Sequence, residues 1–315
     1  MKKFIHLPVL AKEVLEGLSP KKNGRYADGT IGGGGHAEMI LKAGTGSWLG
    51  GSDRDDAAVE AALSRLAPFG DQVEVRRGAF TTMTDWIESG TLDGVLLDLG
   101  VSSHQLDEAG RGFSIQKEGP LDMRMDDRQN ETAADWVNTR SAEDLANIFW
   151  ELGGERHSRR IAGAIIRQRK LAPFKTTIEL ADVIEKVCPR KGRKTHPATR
   201  TFQALRMAVN DEVEELQKGL PGVVSLLKPG GRLAVITFHS GEDRAVKKFG
   251  VEETRDYDVQ GEEDVPDLRV ERPARMRWIN RKAIQATEEE EANNPRARSA
   301  QLRVLEKLGE PKGKL

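Results

Sequence analysis

Four consecutive glycines, Gly32 to Gly35, lie between a predicted strand and a predicted helix near the start of the chain. Glycine loses more backbone entropy on folding than any other residue, so such a run is a stability cost without a use. The usual use is close approach of the backbone to a ligand at a helix N-terminus. Asp53 follows about 20 residues later, at the end of a second apolar segment, where a ribose-binding acid is expected. Together these features predict a site for a nucleoside-containing cofactor.

Short apolar segments alternate with helical runs through the first hundred residues. This rhythm is typical of a parallel sheet covered by helices on both faces. The four predicted strands end at Asp28, Asp53, Arg77 and Asp98. Because ligands bind beyond the carboxyl ends of such strands, each end delivers a suitable group to the same edge. Four coincident ends support a ligand site more strongly than the glycine loop does by itself.

The strand pattern stops between about Asp107 and Arg206, where only helical candidates follow one another. These candidates span 141–152, 156–171 and 176–187. We therefore predict an α/β domain formed by 1–107 and 206–315, with an all-helical substrate-recognition insertion at 108–205. From Arg156 to Arg206 there are fourteen Lys and Arg residues against three acids. This excess favours a surface that faces a polyanion, but charge alone supports an ordinary solvated helix face equally well.

The α/β pattern is expected to resume after the insertion. An amphipathic run from Pro197 to about Leu227 predicts one long helix, and an apolar strand follows at 232–238. The segment 252–267 holds eight acids and one arginine, which predicts a loose surface stretch. Alternation at 299–305 predicts a final strand.

Composition narrows the compartment and the class of protein. The single cysteine, Cys188, excludes an internal disulfide and fits a reducing cytosol. The first ten residues do not form a signal peptide, because His6 and Pro8 interrupt their apolar run. No segment approaches the roughly 18 apolar residues that a membrane span needs. We therefore expect a cytoplasmic protein that does not engage a membrane.

The nature of the cofactor depends on the groups around the glycines. Asp28 precedes them and suits a ligand that carries an ammonium and a sulfonium, whereas it would repel a pyrophosphate. The turn Lys228-Pro229-Gly230-Gly231 before a late strand also resembles an element of class I methyltransferases. S-adenosylmethionine is thus favoured over NAD. A nicotinamide-dependent oxidoreductase is the alternative; it accounts for the glycines and Asp53 but leaves Asp28, Asp98 and the basic helical insertion unexplained.

Several ordered motifs give the chain a specific resemblance. They are His6-x-Pro8-Val9-Leu10, Asp28 to His36, Asp53-Arg54-Asp55, 97–103, 105–107, 111–114, 119–126, 196–206, 238–240 with 242–244, and 294–299. With these motifs the chain resembles the RsmH (MraW) family of bacterial small-subunit rRNA cytosine-N4 methyltransferases nearly end to end. It departs from the family pattern at His104, where Pro is frequent, and at Gly241, where Leu is usual. The first departure falls in a loop near the predicted site and could tune it, and the second leaves the neighbouring polar residues in place.

The resemblance implies a class I S-adenosylmethionine-dependent methyltransferase fold and a cofactor site. The matching cofactor-binding positions are Gly34, Gly35, His36, Asp53, Phe80, Asp98 and Gln105. Glycine lets the backbone approach the methionine portion of S-adenosyl-L-methionine, Asp53 would accept from the ribose, and Phe80 offers an apolar face to adenine. Asp98 is also the candidate catalytic residue, because a carboxylate at that strand end can accept hydrogen bonds from the target amine.

The substrate implied by the resemblance is a cytidine in the decoding region of 16S rRNA within the small ribosomal subunit. The base must leave its stack to be methylated, and the loop 111–126 is predicted to close over it. The candidate RNA-contacting residues are Arg111, Phe113, Arg124, Arg193, Lys194, His196, Arg200 and His239. Phe113 could equally anchor the insertion, and His239 could equally make a structural hydrogen bond. A non-catalytic rRNA-binding assembly factor is a further alternative, against which the intact strand-end acids argue. No spacing of Cys, His and Asp suggests a metal site. Whether the enzyme acts as a homodimer, and on naked rRNA or an assembled subunit, stays open.

Overall fold

The computed structural model describes residues 8–190, 192, 195–261 and 263–309, with the side chains of residues 103 and 104 left out. His6 of the N-terminal motif therefore lies outside the described residues. The chain forms two compact units, one made of Met1–Gly100 and Glu214–Leu315 and the other of Val101–Val213. The sequence places the same two divisions at 107 and 205.

The first unit is built on one large sheet. Its strands are β1 (Arg25–Asp28), β2 (Trp48–Asp53), β3 (Val73–Arg77), β4 (Leu92–Asp98), β5 (Leu227–Thr237), β8 (Met276–Trp278), β9 (Ile284–Gln285) and β10 (Gln301–Lys307), while β6 (Tyr257–Val259) and β7 (Arg269–Glu271) form a separate antiparallel pair. The sheet order is β3-β2-β1-β4-β5-β10-β8, with β9 also paired to β10. Strands β1 to β5 pair with one another in parallel, and β10 pairs with β5 in the antiparallel sense. This order confirms the predicted class I methyltransferase fold.

The four strand ends predicted from the sequence are confirmed at Asp28, Asp53, Arg77 and Asp98. The reversal of strand order lies between β1 and β4, which are hydrogen-bonded neighbours with Asp28 paired to Leu96. At such a switch point the loops after adjacent strands diverge and leave a crevice for a ligand. The topology therefore places the glycine loop after β1 and Asp98 of β4 on the two sides of that crevice.

The sheet core explains the apolar run Val95 to Leu97 in the middle of β4. Leu96 belongs to a cluster on one face of the sheet, and Val95 and Leu97 belong to a cluster on the other. Successive side chains of a strand point to opposite faces, so a strand covered on both sides needs a continuous apolar run. The helices of this unit are α1 (Ala11–Leu18), α2 (Gly35–Ala43), α3 (Asp56–Leu66), α10 (Glu212–Leu226), α11 (Ser240–Glu253) and α12 (Glu288–Asn293), where α10 begins at the unit boundary.

The second unit is helical and has its own core. It contains α4 (Ser103–Asp107), α5 (Ala133–Thr139), α6 (Ala142–Glu151), α7 (Ser158–Arg169), α8 (Thr177–Val187) and α9 (Thr199–Val209). Capping boxes open α5, α6 and α8, each with Ser or Thr at the N-cap and an acid three residues later. Phe149, Ile161 and Leu205 are buried at its centre. The three predicted helices are confirmed, and α5 is an additional one.

Two expectations about the second half of the chain are wrong. The single helix expected to reach Leu227 is two helices, because Asp211 adopts a positive φ of 50° between α9 and α10. The acid-rich stretch expected to be loose contains the end of α11 and the strand β6, which pairs with β7. The predicted final strand is confirmed as β10. In the part of the chain that the structure describes, no helix combines the length and the apolar character needed to cross a membrane.

Candidate active site

Two acids at the ends of adjacent central strands are linked through one threonine. The backbone N–H of Thr30 donates to Asp28 Oδ1 at 3.1 Å, and the backbone N–H of Asp98 donates to Thr30 Oγ1 at 2.6 Å. Asp28 is fully buried, and this burial raises its pKa to about 7. Burial, followed by the nearby charges of Asp28 and Glu242, holds the pKa of Asp98 well above its usual range. The pair is therefore a strong acceptor site for a cation.

One oxygen of Asp98 is left without a partner. Asp98 Oδ1 is buried and makes no hydrogen bond to any described residue, although the side chain as a whole is 25% exposed. Leaving a buried acceptor unpaired costs about 1–3 kcal/mol, so such an atom is usually matched by a ligand or solvent. Asp98 Oδ1 is thus available to an amine or another donor that enters the crevice.

The glycine loop is held by Asp53 and is open on one side. Gly32 N donates to Asp53 Oδ2 at 2.9 Å, and Asp55 N donates to Asp53 Oδ1 at 3.0 Å. A methyl group added at Gly33 would meet no atom within 4 Å, and one added at Gly32 would meet only a backbone oxygen of Thr30 at 3.8 Å. Gly33 is exposed, so the space beside Gly32 and Gly33 is open to a ligand.

Gly34 and Gly35, the two glycines singled out by the resemblance, have packing roles as well. Gly34 has a φ of 76°, and a Cβ there would lie 3.3 Å from Ala62 Cα of α3. A Cβ at Gly35 would lie 2.9 Å from Pro8 Cγ. These two positions require glycine for the fold itself. Nothing in the sequence of four glycines shows that Gly32 and Gly33, unlike Gly34 and Gly35, lie beside open space. Contact of Gly34 and Gly35 with a cofactor stays a prediction.

His36 in the first turn of α2 connects the N-terminal segment to Asp98. Its Nε2 lies 2.8 Å from Val9 O, and its Nδ1 lies 3.7 Å from Asp98 Oδ2. The side chain is buried. His36 is thus brought together with Asp98 and the glycine loop, and its contact with a cofactor stays a prediction.

Phe80 and Gln105 lie in different units. Phe80 begins a short 3₁₀ helix after β3 and is almost fully buried, with Gly219 of α10 and Gly29 packed against it. Gln105 belongs to the helical unit, where it is buried and its Oε1 accepts a hydrogen bond from Ser102 N at 3.0 Å. The contacts of both residues with adenine or the methionine portion stay predictions.

His239 serves as the N-cap of α11. Its Nδ1 accepts hydrogen bonds from Gly241 N at 3.2 Å and Glu242 N at 3.3 Å, and its Nε2 lies 3.0 Å from Glu242 Oε1. Glu242 Oε2 in turn accepts from Phe238 N at 2.8 Å. The sequence analysis includes Glu242 in a motif but gives it no role; its position three residues after the cap is the signal of a capping box. The ring of His239 is held by this box, and its contact with RNA stays a prediction.

Three predicted RNA-contacting residues organise the loop 111–126 of the helical unit. Arg111 Nη2 donates to Arg124 O at 3.1 Å and to Met125 O at 3.0 Å. Arg124 makes a bidentate pair with Asp122, at 2.8 Å for both bonds, which raises the pKa of Arg124. Phe113 is buried in the core of this unit. Their shared observed role is to fix the loop.

Of the remaining candidate RNA-contacting residues, two lie at the surface of the helical unit and two lie outside the described residues. His196 Nδ1 accepts from Ala198 N at 3.1 Å, and Nε2 lies 3.5 Å from Glu185 Oε2. Arg200 is exposed and donates to Gly154 O at 3.2 Å. Arg193 and Lys194 lie outside the described residues. The exposed basic residues of this unit include Arg156, Arg159, Arg160, Arg167, Lys170, Lys175, Lys186 and Arg190.

Known proteins match this chain over nearly its whole length. The model of a family described as the MraW methylase family matches residues 3–308. A protein of Pelobacter propionicus named ribosomal RNA small subunit methyltransferase H is 48% identical, with 97% of this chain and 99% of that one covered. One of the same name from Heliobacterium mobile is 47% identical, with the same shares covered. A putative methyltransferase from Streptococcus mutans, solved in complex with SAH, shares 13% identity at a TM-score of 0.41, with 96% and 100% covered.

Proposed function

Because the chain belongs to the MraW methylase family, we propose that it is an S-adenosylmethionine-dependent methyltransferase of small-subunit ribosomal RNA. The methyl group goes to the exocyclic N4 amine of a cytidine in the decoding region of 16S rRNA, and the enzyme works in the cytoplasm. The observation that carries the proposal is the unpartnered Asp98 Oδ1 at the end of β4, next to the open glycine loop. An enzyme that methylates an amine needs an acceptor at that place.

The described residues fit the cofactor. When bound, S-adenosylmethionine supplies an electrophilic methyl group on a positively charged sulfur. The space beside Gly32 and Gly33 accommodates its methionine portion, and Asp28 and Asp98 offer negative charge to its cationic groups. Asp53 accepts from the ribose while it holds Gly32 N. A phosphate-bearing cofactor would meet two buried carboxyl groups here, so the nicotinamide alternative is not supported.

The chemical problem is the weak nucleophilicity of the target amine. The lone pair of the cytosine N4 nitrogen is delocalised into the ring, so the amine must be held in line with the methyl group. Asp98 does this by accepting a hydrogen bond from the amine through Oδ1, which also stabilises positive charge as it develops on nitrogen. Thr30 keeps the Asp98 backbone in place through its hydroxyl. Asp98 thereby serves both the cofactor and the amine.

The helical unit supplies the binding of RNA. Its exposed arginines and lysines neutralise phosphates, which gives affinity without sequence readout. Arg111 and Arg124 rigidify the loop 111–126, and this loop receives the unstacked cytidine. In this proposal the helical unit binds the RNA and the first unit carries out the methyl transfer.

The test is transfer of labelled methyl from S-adenosylmethionine to small ribosomal subunits that lack the modification, followed by nucleoside analysis. We expect label in N4-methylcytidine, and we expect Asp98→Asn to lower turnover by about 10²–10³-fold, the usual loss for a preorganised group at developing charge. Naked 16S rRNA in a parallel reaction identifies the form of the substrate. Label in a different nucleoside, or none while the cofactor binds, would refute the proposed reaction. Full turnover of Asp98→Asn with weakened cofactor binding would restrict Asp98 to the cofactor.

A further inference from the structure

One ring nitrogen of His36, Nδ1, faces one carboxyl oxygen of Asp98, Oδ2, and the hydrogen bonding of the ring makes both atoms acceptors. His36 Nε2 lies 2.8 Å from Val9 O, and a carbonyl oxygen only accepts, so Nε2 carries a proton. In a neutral imidazole the other nitrogen, Nδ1, then has a lone pair and no proton. That nitrogen lies 3.7 Å from Asp98 Oδ2. If Asp98 is ionised and His36 is neutral, two lone pairs oppose each other in a buried place.

A single proton between the two groups removes this conflict. It converts His36 to an imidazolium beside a carboxylate, or Asp98 to a carboxylic acid that donates to Nδ1. The surroundings favour retention of that proton, because the charges that act on Asp98 are those of two acids, Asp28 from β1 and Glu242 from the first turn of α11. The imidazole of His239 lies beyond Glu242, with its Nε2 3.0 Å from Glu242 Oε1. Burial and these acids also hold the pKa of Asp98 well above its usual range. When two groups interact this strongly, a proton between them belongs to the pair and is not assigned to either residue alone.

We propose that His36 and Asp98 share one proton in the cofactor-free protein, release it when the cationic cofactor binds, and take up the proton that the target amine loses. This inference rests on the proposed function for its last step only. It makes His36 a positioning and proton-holding partner of Asp98 in addition to an anchor for Val9.

The protons and electrons balance over one turnover. The bond between the amine nitrogen and the methyl carbon forms as the sulfur–carbon bond breaks, and the electron pair of that bond goes to sulfur. The nitrogen, now positively charged, loses one proton to Asp98, where His36 Nδ1 helps to hold it. The product cofactor has no charge on sulfur and so tolerates a protonated pair. The proton returns to solvent when the next sulfonium enters.

Isothermal titration calorimetry of the whole protein measures this proton without RNA and without turnover. Binding of S-adenosylmethionine and of S-adenosylhomocysteine is compared near pH 7 in two buffers that differ in ionisation enthalpy. We expect about one proton more to be released with S-adenosylmethionine, since only it adds positive charge beside the pair. Equal proton counts for the two ligands would overturn the proposal. Failure of both ligands to bind would instead refute the proposed function.

Two variants separate proton sharing from a structural role. His36→Gln keeps an N–H group for Val9 O but removes the imidazole, so the difference in proton release should fall. Asp98→Asn should leave only the part that Asp28 contributes. His157→Gln, an exposed histidine of the helical unit, is the control and should match the wild type. Melting curves verify that each variant is folded. A folded His36→Gln protein with the wild-type proton count would show that His36 only anchors Val9.

Discussion

Asp28 is the residue at which the cost of a buried acid is most directly measurable. It is 1% exposed, and burial raises its pKa to about 7, while an unfolded chain would ionise it near pH 4. The neutral form is therefore favoured on folding, and the stability that depends on it is present at low pH. As pH rises from about 4 to about 7, the unfolded state gains charge and the folded state does not, so the cofactor-free protein loses stability.

We predict that Asp28→Asn removes this pH dependence. The variant and the wild type should have similar free energies of unfolding near pH 4, and the variant should become more stable by a few kcal/mol at about pH 7, with no further divergence above it. Urea unfolding at a series of pH values measures the free energy of unfolding of the variant and of the wild type. The same variant should bind S-adenosylmethionine more weakly, because one negative charge is lost from the crevice. A stability difference that is independent of pH would contradict the assigned ionisation of Asp28.

At the scale of the element, the glycine loop separates a folding requirement from a binding requirement. Gly34 needs its positive φ and has Ala62 Cα at 3.3 Å from a would-be Cβ, whereas Gly33 faces open space. We predict that Gly34→Ala costs about 1–2 kcal/mol of stability, while Gly33→Ala leaves the melting temperature nearly unchanged. Cofactor affinity should fall at least tenfold in Gly33→Ala, because the added methyl group occupies the open space beside the loop where the ligand is expected to bind. Calorimetric binding and thermal melting provide the two readouts.

The Gly33→Ala result is informative in either direction. If cofactor affinity stays at the wild-type value in a folded Gly33→Ala protein, the ligand does not approach the loop at that position. Each variant serves as the control of the other, since they add the same methyl group to adjacent residues.

Elements that are marked by local sequence signals were predicted correctly, whereas the break between α9 and α10, which depends on distant contacts, was not. The ends of β1 to β4 follow from apolar runs that stop at a polar residue, and α6 and α8 follow from capping boxes within four residues. The break between α9 and α10 has a different origin. Buried Asn210 donates to Met123 O at 2.8 Å and accepts from Met125 N at 2.7 Å. These partners are more than eighty positions away, so the amphipathic pattern around Asn210 contains no trace of them.

The candidate site shows the same division between local and distant information. Asp28, Asp53 and Asp98 were predictable because a strand end is a local feature and the sheet brings strand ends together. The roles of Thr30 and Glu242 were not, because they depend on which backbone and side-chain groups meet across the sheet. The pattern also could not distinguish the open glycines, Gly32 and Gly33, from the packed ones.

At the scale of the whole molecule, the basic excess and the candidate catalytic acids lie in different units. The acids at the ends of β1 and β4 belong to the first unit, and the basic excess between Arg156 and Arg206 belongs to the second. Each unit has its own buried apolar cluster. This arrangement allows a change on the helical surface to affect RNA binding without disturbing the cofactor.

We predict that the double variant Arg159→Glu/Arg160→Glu weakens binding to small ribosomal subunits and leaves S-adenosylmethionine affinity unchanged. Both side chains are exposed on α7, so the protein should remain folded. Each phosphate contact that is lost should reduce the slope of log affinity against log salt by about one, and the defect should be largest at low salt. Lys247→Glu/Lys248→Glu on α11 of the first unit makes the same change in net charge and is the matched control.

Because net charge is equal in the two variants, a selective loss with the α7 pair would assign the effect to that surface. Equal losses would mean that only the overall charge of the protein matters, and no loss in either would remove α7 from the RNA-binding surface.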